Sequence, residues 1–439
     1  MYRQRQFETL LSHSRILIAG YGREGKSTHA FLQRWVPSAV ADVASNDEEI
    51  FASLERAQSS GRPYQFIFKS PGISTMKFEG RCNLDTITSQ TDLFLQVYGD
   101  RTIAVTGTKG KSTTSTLIFH ILSQNLADGT HTFLAGNMGI PLLDIADKLD
   151  DDSLVVAELS CHQLENIHRG PHVGVILNLY QEHLDHYHDY LGYQMAKMQM
   201  MLRQQRGDVC FYSTDSNDLC QRVSEVASLC QSDLHPYSLA DAQNRNIASL
   251  LPPTLRGNHN VTNAYVAGLV ANLYGLGHAQ FVSSLATFHG LPHRLELVGT
   301  FGGITFYNDS ISTIPEAAIA AVEALRQVDT LILGGFDRGI DYSPLTAYLS
   351  APATLGYAIR NLVFVGQAGR RIMAESRLTG RNILIEDDYS RIVPWCFANT
   401  QHGKVCLLSP AAASYDAFKN FEHRGETYCD LIKSFCPKS

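Results

Sequence analysis

The fold of this chain is decided by one stretch, Thr102-Ile-Ala-Val-Thr-Gly-Thr-Lys-Gly-Lys-Ser-Thr-Thr114. Its first five residues are apolar or β-branched and predict a buried strand, and apolar residues follow at helical spacing over residues 112–124. Between the two elements, Gly107 and Gly110 let the backbone wrap around an anion at the N-terminus of the helix. The stretch therefore predicts a strand–loop–helix unit that binds phosphate.

The loop departs from the strict phosphate-loop pattern, because two residues separate its glycines where the pattern has four. The physical parts of such a loop are nevertheless present. Lys111 can reach the β- and γ-phosphates of a nucleotide, and Ser112 or Thr113 offers a hydroxyl to Mg²⁺. These side chains predict a site for a nucleoside triphosphate and its metal ion.

An earlier turn competes for the same role. Gly20-Tyr-Gly-Arg-Glu-Gly-Lys-Ser27 matches both the dinucleotide fingerprint G-x-G-x-x-G and the literal phosphate-loop pattern. The fingerprint expects an acidic residue about 20 positions on, at the end of the next strand, and Asp42 lies there. A tight strand–helix turn without a ligand is also compatible with this segment. Motif matching alone leaves open which of the two loops holds the triphosphate.

Polar side chains that could bind a metal ion follow the second loop. Glu158 comes directly after the apolar run 154–157, and His183 and Asp185 come soon after the run 173–177. Taken singly, each is typical of a surface residue. Because the carboxyl ends of parallel strands meet at the edge where open α/β sheets bind ligands, together they predict a metal-dependent site at the second loop.

The organisation of the chain follows from restarts of this pattern. A strand, a glycine turn and a helix open near residue 15 and again at residue 102, and a third series of apolar runs starts near residue 297. We therefore expect an α/β protein of three consecutive domains. They are a Rossmann-like domain over residues 1–96, a central ATPase domain of the P-loop type over 97–296 and a C-terminal Rossmann-like domain over 297–439.

Composition excludes several classes of protein. The 36 lysines and arginines against 43 acidic residues give a net charge of −7, which argues against a dedicated nucleic-acid binder. The nine cysteines contain no C-x-x-C pair, which argues against a disulfide scaffold and a structural zinc site. No apolar run is long enough to span a membrane, and residues 1–14 lack the apolar core of a signal peptide. We expect a cytoplasmic enzyme with reduced thiols.

The motifs together resemble the Mur ligase family of ATP-dependent amide-bond ligases over nearly the whole chain. Besides the loop at residues 106–112, the matching segments are Gly257-Asn-His-Asn-Val-Thr-Asn263, Gly290-Leu-Pro-His-Arg-Leu-Glu296 and the long C-terminal stretch from Leu408 to Gly425. Glu158-Leu-Ser-Cys-His-Gln-Leu-Glu165 is similar to the segment E-L-S-S-F-Q-L-E of the glutamate-adding branch.

The resemblance implies a reaction. The carboxylate of UDP-N-acetylmuramoyl-L-alanine would attack the γ-phosphate of ATP, and the amine of D-glutamate would then displace phosphate from the acyl phosphate. It also implies a monomer that works with two Mg²⁺ ions in peptidoglycan precursor synthesis. Since the reacting groups are anionic, such a site must supply local positive charge.

The resemblance further implies roles for individual residues, residue by residue. Catalysis would rest on Lys111, Glu158, His183 and Lys197. The metal ligands would be Ser112, Glu158, His183 and a carbamylated Lys197. ATP would contact Gly107, Thr108, Lys109, Gly110, Lys111, Ser112, Thr113, Asn260, Asn263, Arg294 and Asp309, with His293 nearby. The UDP-sugar would contact Gly20, Gly22, Gly25, Asp42, Ser70, Gly72, Asn137 and Ser160. Glutamate would contact Thr313, Arg338, Ser414 and Phe421.

One departure from the family pattern concerns the glutamate pocket. The family motif D-S-K-A-T-N reads Asp309-Ser-Ile-Ser-Thr-Ile314 here, so Ile311 replaces a lysine. Three other interpretations therefore stay open. They are a ligase for L-glutamate, a nucleotide-binding paralogue without catalysis and a ligase resembling folylpolyglutamate synthase. The N-terminal glycine turn ahead of residue 97 disfavours the third.

Overall fold

The computed structural model describes residues 2–127, 129–137, 140–183, 186–252, 255, 257–288, 290, 292–351 and 359–435. The chain forms two compact units, residues 1–288 and residues 289–439. The first unit contains two sheets and the second contains one. The predicted fold class, three consecutive α/β segments, is confirmed, while the domain boundaries remain a prediction. Gly139 and Asp185 lie outside the described residues.

The first sheet is parallel throughout, with the order β2-β1-β3-β4. Its strands are β1 (Arg15–Ala19), β2 (Val40–Ala44), β3 (Phe66–Lys69) and β4 (Ile87–Thr88). Its helices are α1 (Tyr2–Leu11), α2 (Arg23–Trp35), α3 (Asp47–Ser59) and α4 (Gln90–Tyr98). Because Ile16 and Ile18 pack on one face of β1 and Leu17 and Ala19 on the other, β1 is buried on both sides.

The second sheet is also parallel, with the order β10-β9-β8-β5-β7-β6. Its strands are β5 (Thr102–Thr106), β6 (Thr132–Gly136), β7 (Leu154–Glu158), β8 (Val173–Ile176), β9 (Val209–Ser213) and β10 (Asp233–Tyr237). Its helices are α5 (Lys111–Asn125), α6 (Cys161–Leu164), α7 (Tyr190–Leu202), α8 (Asn217–Val226), α9 (Leu239–Asn244), α10 (Asn258–Leu273) and α11 (His278–Thr287). Because β5 lies between β7 and β8, the loops that follow these three strands emerge side by side.

The third sheet has the order β11-β12-β16-β13-β14-β15; the β11–β12 pair is antiparallel, and the other pairs between its described strands are parallel. Its strands are β11 (Glu296–Phe301), β12 (Ile304–Asn308), β13 (Val328–Gly334), β14 (Asn361–Val365), β15 (Asn382–Ile385) and β16 (Val405–Leu408). Its helices are α12 (Pro315–Leu325), α13 (Ser343–Ser350), α14 (Gly366–Glu375), α15 (Tyr389–Asn399) and α16 (Phe421–Phe435). No helix within the described ranges has the length and apolar character needed to cross a membrane.

A buried arginine organises the loops of the second unit. Arg424, on α16, is 1% exposed. Its guanidinium donates to the hydroxyl and carbonyl oxygens of Ser310 and to the carbonyl oxygens of Ala412 and Ala413, at 2.8–3.2 Å. Burial lowers its pKa below the usual arginine value. The side chain therefore joins the turn after β12 to the turn after β16.

We predict that Arg424→Met unfolds the second unit at a lower urea concentration. The substitution keeps the length of the side chain but leaves several buried acceptors unpaired, and each costs about 1–3 kcal/mol. The chain has two tryptophans, and Trp395 is the one that lies in the second unit. Its fluorescence, in a Trp35→Phe background, reports this transition. Arg391→Met is the control because that side chain is 73% exposed. Equal midpoints for both variants would contradict the proposed role of Arg424.

Candidate active site

The turn after β1 has the geometry of the dinucleotide fingerprint. Gly20 directly follows the strand, Gly22 precedes α2 and has open space around it, and Gly25 packs on the turn. A Cβ at Gly25 would collide with the carbonyl oxygen of Gly20, so glycine is required there for close packing of helix and strand. The hydroxyl of Ser70 donates to the same Gly20 oxygen at 2.8 Å, and Gly72 is exposed two residues on.

Asp42 does not lie at the end of its strand, as the sequence pattern suggested. It is the third residue of β2 and pairs with Leu17 in the middle of β1. Its carboxylate accepts hydrogen bonds from the Tyr64 hydroxyl at 2.6 Å and from Arg15 at 3.1 Å. Since the strand continues to Ala44, the structure does not bring Asp42 to the Gly20 turn.

The literal phosphate-loop match at this turn lacks a hydroxyl that could bind a metal ion. Ser27 is buried, and its hydroxyl donates to the carboxylate of Asp144 at 2.6 Å. Lys26 is exposed to solvent. The hydroxyl that a phosphate loop would offer to a metal ion is therefore committed to a protein carboxylate.

The loop after β5 is held in place by its neighbours. Gly110 precedes α5 with φ of +89°, a left-handed conformation that favours glycine. The side chain of Asn178, just beyond β8, accepts from the Lys109 N–H at 2.9 Å and donates to the Lys109 carbonyl at 3.0 Å. Thr108 shares a hydrogen bond of 2.7 Å with the hydroxyl of Tyr193. The loop is thus fixed before any ligand arrives.

Two lysines converge on one carbonyl oxygen of this loop. Lys111 donates to the carbonyl oxygens of Gly107 and Thr108, both at 2.9 Å. Lys197, on α7, donates to the same Gly107 oxygen at 3.0 Å and is 2% exposed. Burial lowers the pKa of Lys197 to about 8, and the positive charge of Lys111 acts in the same direction. The loop therefore concentrates positive charge where an anion would bind.

A carboxylate faces this region from the neighbouring strand. Glu158 is the last residue of β7, whereas the sequence pattern placed it directly after the strand. It pairs with Val105 of β5. One carboxylate oxygen accepts from the Asn137 side chain at 2.9 Å. The other oxygen, Oε2, is buried and has no hydrogen-bond partner within the described part of the chain. Such an unsatisfied buried oxygen is suited to a cation.

Two predicted nucleotide contacts approach the loop from α10. A Cβ at Gly110 would lie 3.1 Å from Oδ1 of Asn263, which places this buried asparagine against the loop. Asn263 also donates to the side chain of Asn260 at 3.4 Å. Ser112 and Thr113 lie half-buried in the first turn of α5. All four positions therefore lie around the same N-terminus of α5.

His183 lies beside two residues that the sequence analysis left without a role. The ligand atoms of Cys161, His162 and His183 all lie within 4.8 Å of one another. Burial lowers the pKa of His162 to about 3, and the neighbouring histidines act in the same direction. Ser160 caps α6 through a reciprocal hydrogen-bond pair with Gln163, so its hydroxyl is engaged within the chain.

The second unit gathers the predicted residues His293 and Asp309. Asp309 is buried, accepts from the Ser409 hydroxyl at 2.6 Å and from the Leu295 N–H at 3.1 Å, and has its pKa raised by burial. The ring of His293 accepts from Asn308 at 2.9 Å. Arg294 is exposed beside them. This cluster lies where β12 ends.

The candidate glutamate residues lie on adjoining turns of the second unit. Arg338 donates to the Thr313 carbonyl at 2.8 Å. The segments after β13 and β16 are bridged at Phe336 and Ala413, immediately before the buried Ser414. The Phe421 carbonyl accepts from Ser310, at 2.8 Å. Nothing in the structure explains why isoleucine replaces the family lysine at position 311.

Sequence reasoning missed several residues of this region. Asn178 and Tyr193 hold the loop, and the position of Asn178 directly after a strand was the available signal. Lys69 and Glu165 form a buried ion pair of 3.0 Å, joined by His186 at 3.3 Å. Burial alone would raise the pKa of Glu165, but hydrogen bonds from His186 and Lys69 lower it to about 2. No local pattern announces these long-range contacts.

Comparison with known proteins gives consistent matches. Residues 105–271 match the model of the Mur ligase middle domain. The UDP-N-acetylmuramoylalanine–D-glutamate ligase of Latilactobacillus sakei is 31% identical over 449 residues, covering 95% of this chain and 97% of the relative. The ligase of the same name from Solibacter usitatus is 30% identical, covering 97% and 98%.

Solved structures show the same fold at low identity. MurF from Acinetobacter baumannii matches with a TM-score of 0.57 and 16% identity, covering 98% of each chain. MurF from Thermotoga maritima, solved in complex with ADP, matches with a TM-score of 0.53 and 14% identity, covering 97% of this chain and 96% of that one. Folylpolyglutamate synthase from Mycobacterium tuberculosis, at a TM-score of 0.50 and 12% identity, covers 77% of this chain and 94% of its own. The architecture is thus matched over more of the chain by the MurF structures.

We predict that Asn178→Ala weakens nucleotide binding while the fold persists. The substitution removes two hydrogen bonds of about 1 kcal/mol each, which releases the Lys109 backbone. We therefore expect at least about a tenfold rise in the ATP dissociation constant by calorimetry. Asn125→Ala serves as the control. It also removes two side-chain hydrogen bonds, but at the C-terminal end of α5, far along the helix from the loop. Similar ATP affinities for both variants would contradict the role of Asn178 in holding the loop.

Proposed function

Because the chain belongs to the Mur ligase family, we propose that it joins D-glutamate to UDP-N-acetylmuramoyl-L-alanine and converts ATP to ADP and phosphate. It is a ligase of peptidoglycan precursor synthesis. The substrate carboxylate attacks the γ-phosphorus, and ADP leaves. The glutamate nitrogen then bonds to the acyl carbon, the C–O bond to phosphate breaks, and the amine loses a proton.

The observation that supports roles for named residues is the convergence of Lys111 and Lys197 on the Gly107 carbonyl. A carboxylate approaching a triphosphate needs positive charge at the transferring phosphoryl group, and fixed cations supply it without reorganisation. Lys111 is the residue we assign to the β- and γ-phosphates. The N–H groups at the start of α5 add further donors to the same place.

The donor set fits Mg²⁺ at the first metal position. Ser112 offers a hydroxyl, and Glu158 offers the buried oxygen that no described residue hydrogen-bonds. Hard oxygen ligands of this kind are those that Mg²⁺ prefers. When bound, the ion would neutralise phosphate charge. Asn137 donates to the other carboxylate oxygen of Glu158 and so holds this carboxylate in place.

Lys197 suits conversion to a carbamate, which would make it a second metal ligand together with His183. Only the neutral amine reacts with carbon dioxide, and a pKa of about 8 leaves roughly half of the amine neutral at pH 8. An unperturbed lysine would be neutral at well below 1% at that pH. Carbamylation would replace a buried cation with an anion beside Lys111.

The UDP end of the substrate is assigned to the turn after β1. Gly22 leaves open space in front of the N-terminus of α2, which suits diphosphate. Arg23, next in the chain, donates to the Asn137 carbonyl at 3.2 Å. A continuous path therefore leads from this turn to Asn137 and Glu158. Asp42 is not needed in this path, since its carboxylate is already paired.

Glutamate is assigned to the turns that carry Thr313, Arg338, Ser414 and Phe421. Arg338 is an arginine on these turns, and its planar guanidinium can bind a carboxylate through two parallel hydrogen bonds. A paralogue without catalysis is disfavoured because Lys111, Glu158, His183 and Lys197 are all present at the loop edge.

We predict that Lys111→Ala lowers phosphate release at least about 100-fold with all three substrates present, because a fixed charge at the phosphoryl group is lost. The fold should persist, since the side chain is only half-buried. Lys26→Ala tests the competing glycine turn and should retain turnover at saturating substrate. Loss of turnover in Lys26→Ala together with full activity in Lys111→Ala would contradict this assignment and place the triphosphate site at the first glycine turn.

We also predict a pH-dependent carbamate at Lys197. With ¹³C-bicarbonate, a carbamate resonance should be present at pH 8–9 and fade as the pH falls toward 6, because protonation through a pKa of about 8 removes the reactive amine. Lys197→Ala should abolish the resonance. Lys69→Met, which removes another buried lysine, should keep it. A resonance that survives in Lys197→Ala would exclude this site.

A further inference from the structure

The cluster of Cys161, His162 and His183 offers a chemistry that magnesium-dependent ligation does not use. Their ligand atoms lie within 4.8 Å of one another, and the residues are buried, half-buried and exposed in that order. A soft thiolate together with imidazole nitrogens suits transition metals such as zinc, whereas Mg²⁺ selects oxygen. The set therefore differs in kind from Ser112 and Glu158.

We propose that Cys161, His162 and His183 form a site for a transition-metal dication, with Zn²⁺ as the preferred ion, and that occupancy of this site inhibits the ligase. The inhibitory part rests on the proposed function, because His183 is also assigned to the second Mg²⁺. Three protein ligands leave a fourth tetrahedral position open to water or substrate.

The local structure holds two of the three ligands in place. Cys161 and His162 are the first residues of α6, whose start is fixed by the capping pair of Ser160 and Gln163. Nε2 of His162 is buried and has no hydrogen-bond partner among the residues that the structure describes. A buried ring nitrogen of this kind is available to a metal ion.

The third ligand comes from the loop after β8. His183 has φ of +58°, and its ring centroid lies 4.8 Å from that of His162. Zinc–ligand bonds of about 2.0–2.3 Å place tetrahedral ligand atoms roughly 3.3–3.8 Å apart. Side-chain rotations that move the ligand atoms by about an ångström would therefore close the cluster around an ion. Glu182 adds negative charge, with its carboxylate 3.9 Å from Nε2 of His183.

The nearby His186 is engaged elsewhere. Its ring lies 4.1 Å from that of His162, but its Nε2 faces the Glu165 carboxylate at 3.3 Å. The sequence had argued against a structural zinc site because no C-x-x-C pair exists. The cluster instead combines adjacent residues on a helix with a histidine from another loop, a pattern that spacing rules do not detect.

The link to activity runs through neighbouring side chains. The ring of His183 lies 5.9 Å from that of Tyr193, whose hydroxyl bonds to Thr108 in the glycine loop. An ion bound by Cys161, His162 and His183 would occupy the histidine that the proposed second Mg²⁺ position needs. We therefore expect low concentrations of zinc to inhibit the enzyme and a chelator to restore it.

The test uses Co²⁺ as a spectroscopic substitute, measured on the full chain without nucleotide. The parent should show a sulfur-to-cobalt charge-transfer band, one equivalent of tightly bound metal and displacement by Zn²⁺. Cys161→Ser and His162→Phe convert the segment to E-L-S-S-F-Q-L-E, the sequence of the family branch. Each should lose the band or bind at least tenfold more weakly. Cys220→Ser, outside the cluster, should bind like the parent.

Activity separates the site from the ligase assignment. The double variant Cys161→Ser/His162→Phe should turn over like the parent without zinc and resist zinc that inhibits the parent. If the chain binds cobalt with a thiolate band but lacks ligase activity, the proposed function is wrong and the metal site is still supported. An active parent without that band, or a band unchanged in Cys161→Ser, would overturn the metal site. Matching thermal unfolding of the variants excludes misfolding as the cause.

Discussion

The carbonyl oxygen of Gly107 is the point on which the site depends. It accepts hydrogen bonds from Lys111 and from the buried Lys197, so two positive charges are held at one loop. Like charges so close repel, which adds to the lowering of the Lys197 pKa by burial. Bound anions would offset the repulsion between the two lysines, and we propose the triphosphate and a carbamate at Lys197 as those anions. The loop is thus built to be completed by its ligands.

The order of the strands explains why so many groups reach this loop. With β5 between β7 and β8, the end of β7 supplies Glu158, and the segment after β8 supplies Asn178 and His183. The helix α7 then returns across the same edge with Tyr193 and Lys197. The same closeness brings Cys161 and His162 to His183. One topological feature therefore underlies both the proposed catalytic centre and the proposed zinc site.

Much of this could be predicted from the sequence. The strand at 102–106 was identified to the residue, and the helix that follows was placed within one residue of its ends. The first glycine turn could not be resolved by pattern, because Ser27 loses its phosphate-loop role only through a contact with Asp144. Asp42 was misplaced because its strand runs two residues further, to Ala44. Contacts such as Asn178 with Lys109 depend on strand order, which no local pattern contains. The buried role of Arg424 likewise depends on helix α16 meeting the turns after β12 and β16.

The central claim is that this chain adds D-glutamate at a centre built on the Gly107 loop. The most direct measurement incubates the purified chain with ATP, UDP-N-acetylmuramoyl-L-alanine and either enantiomer of glutamate, and follows product mass and phosphate together. We expect D-glutamate to give one phosphate per molecule of product with the mass of the added residue, and L-glutamate to give neither. Product formed with L-glutamate in place of D-glutamate, or phosphate release without product from either enantiomer, would contradict the account.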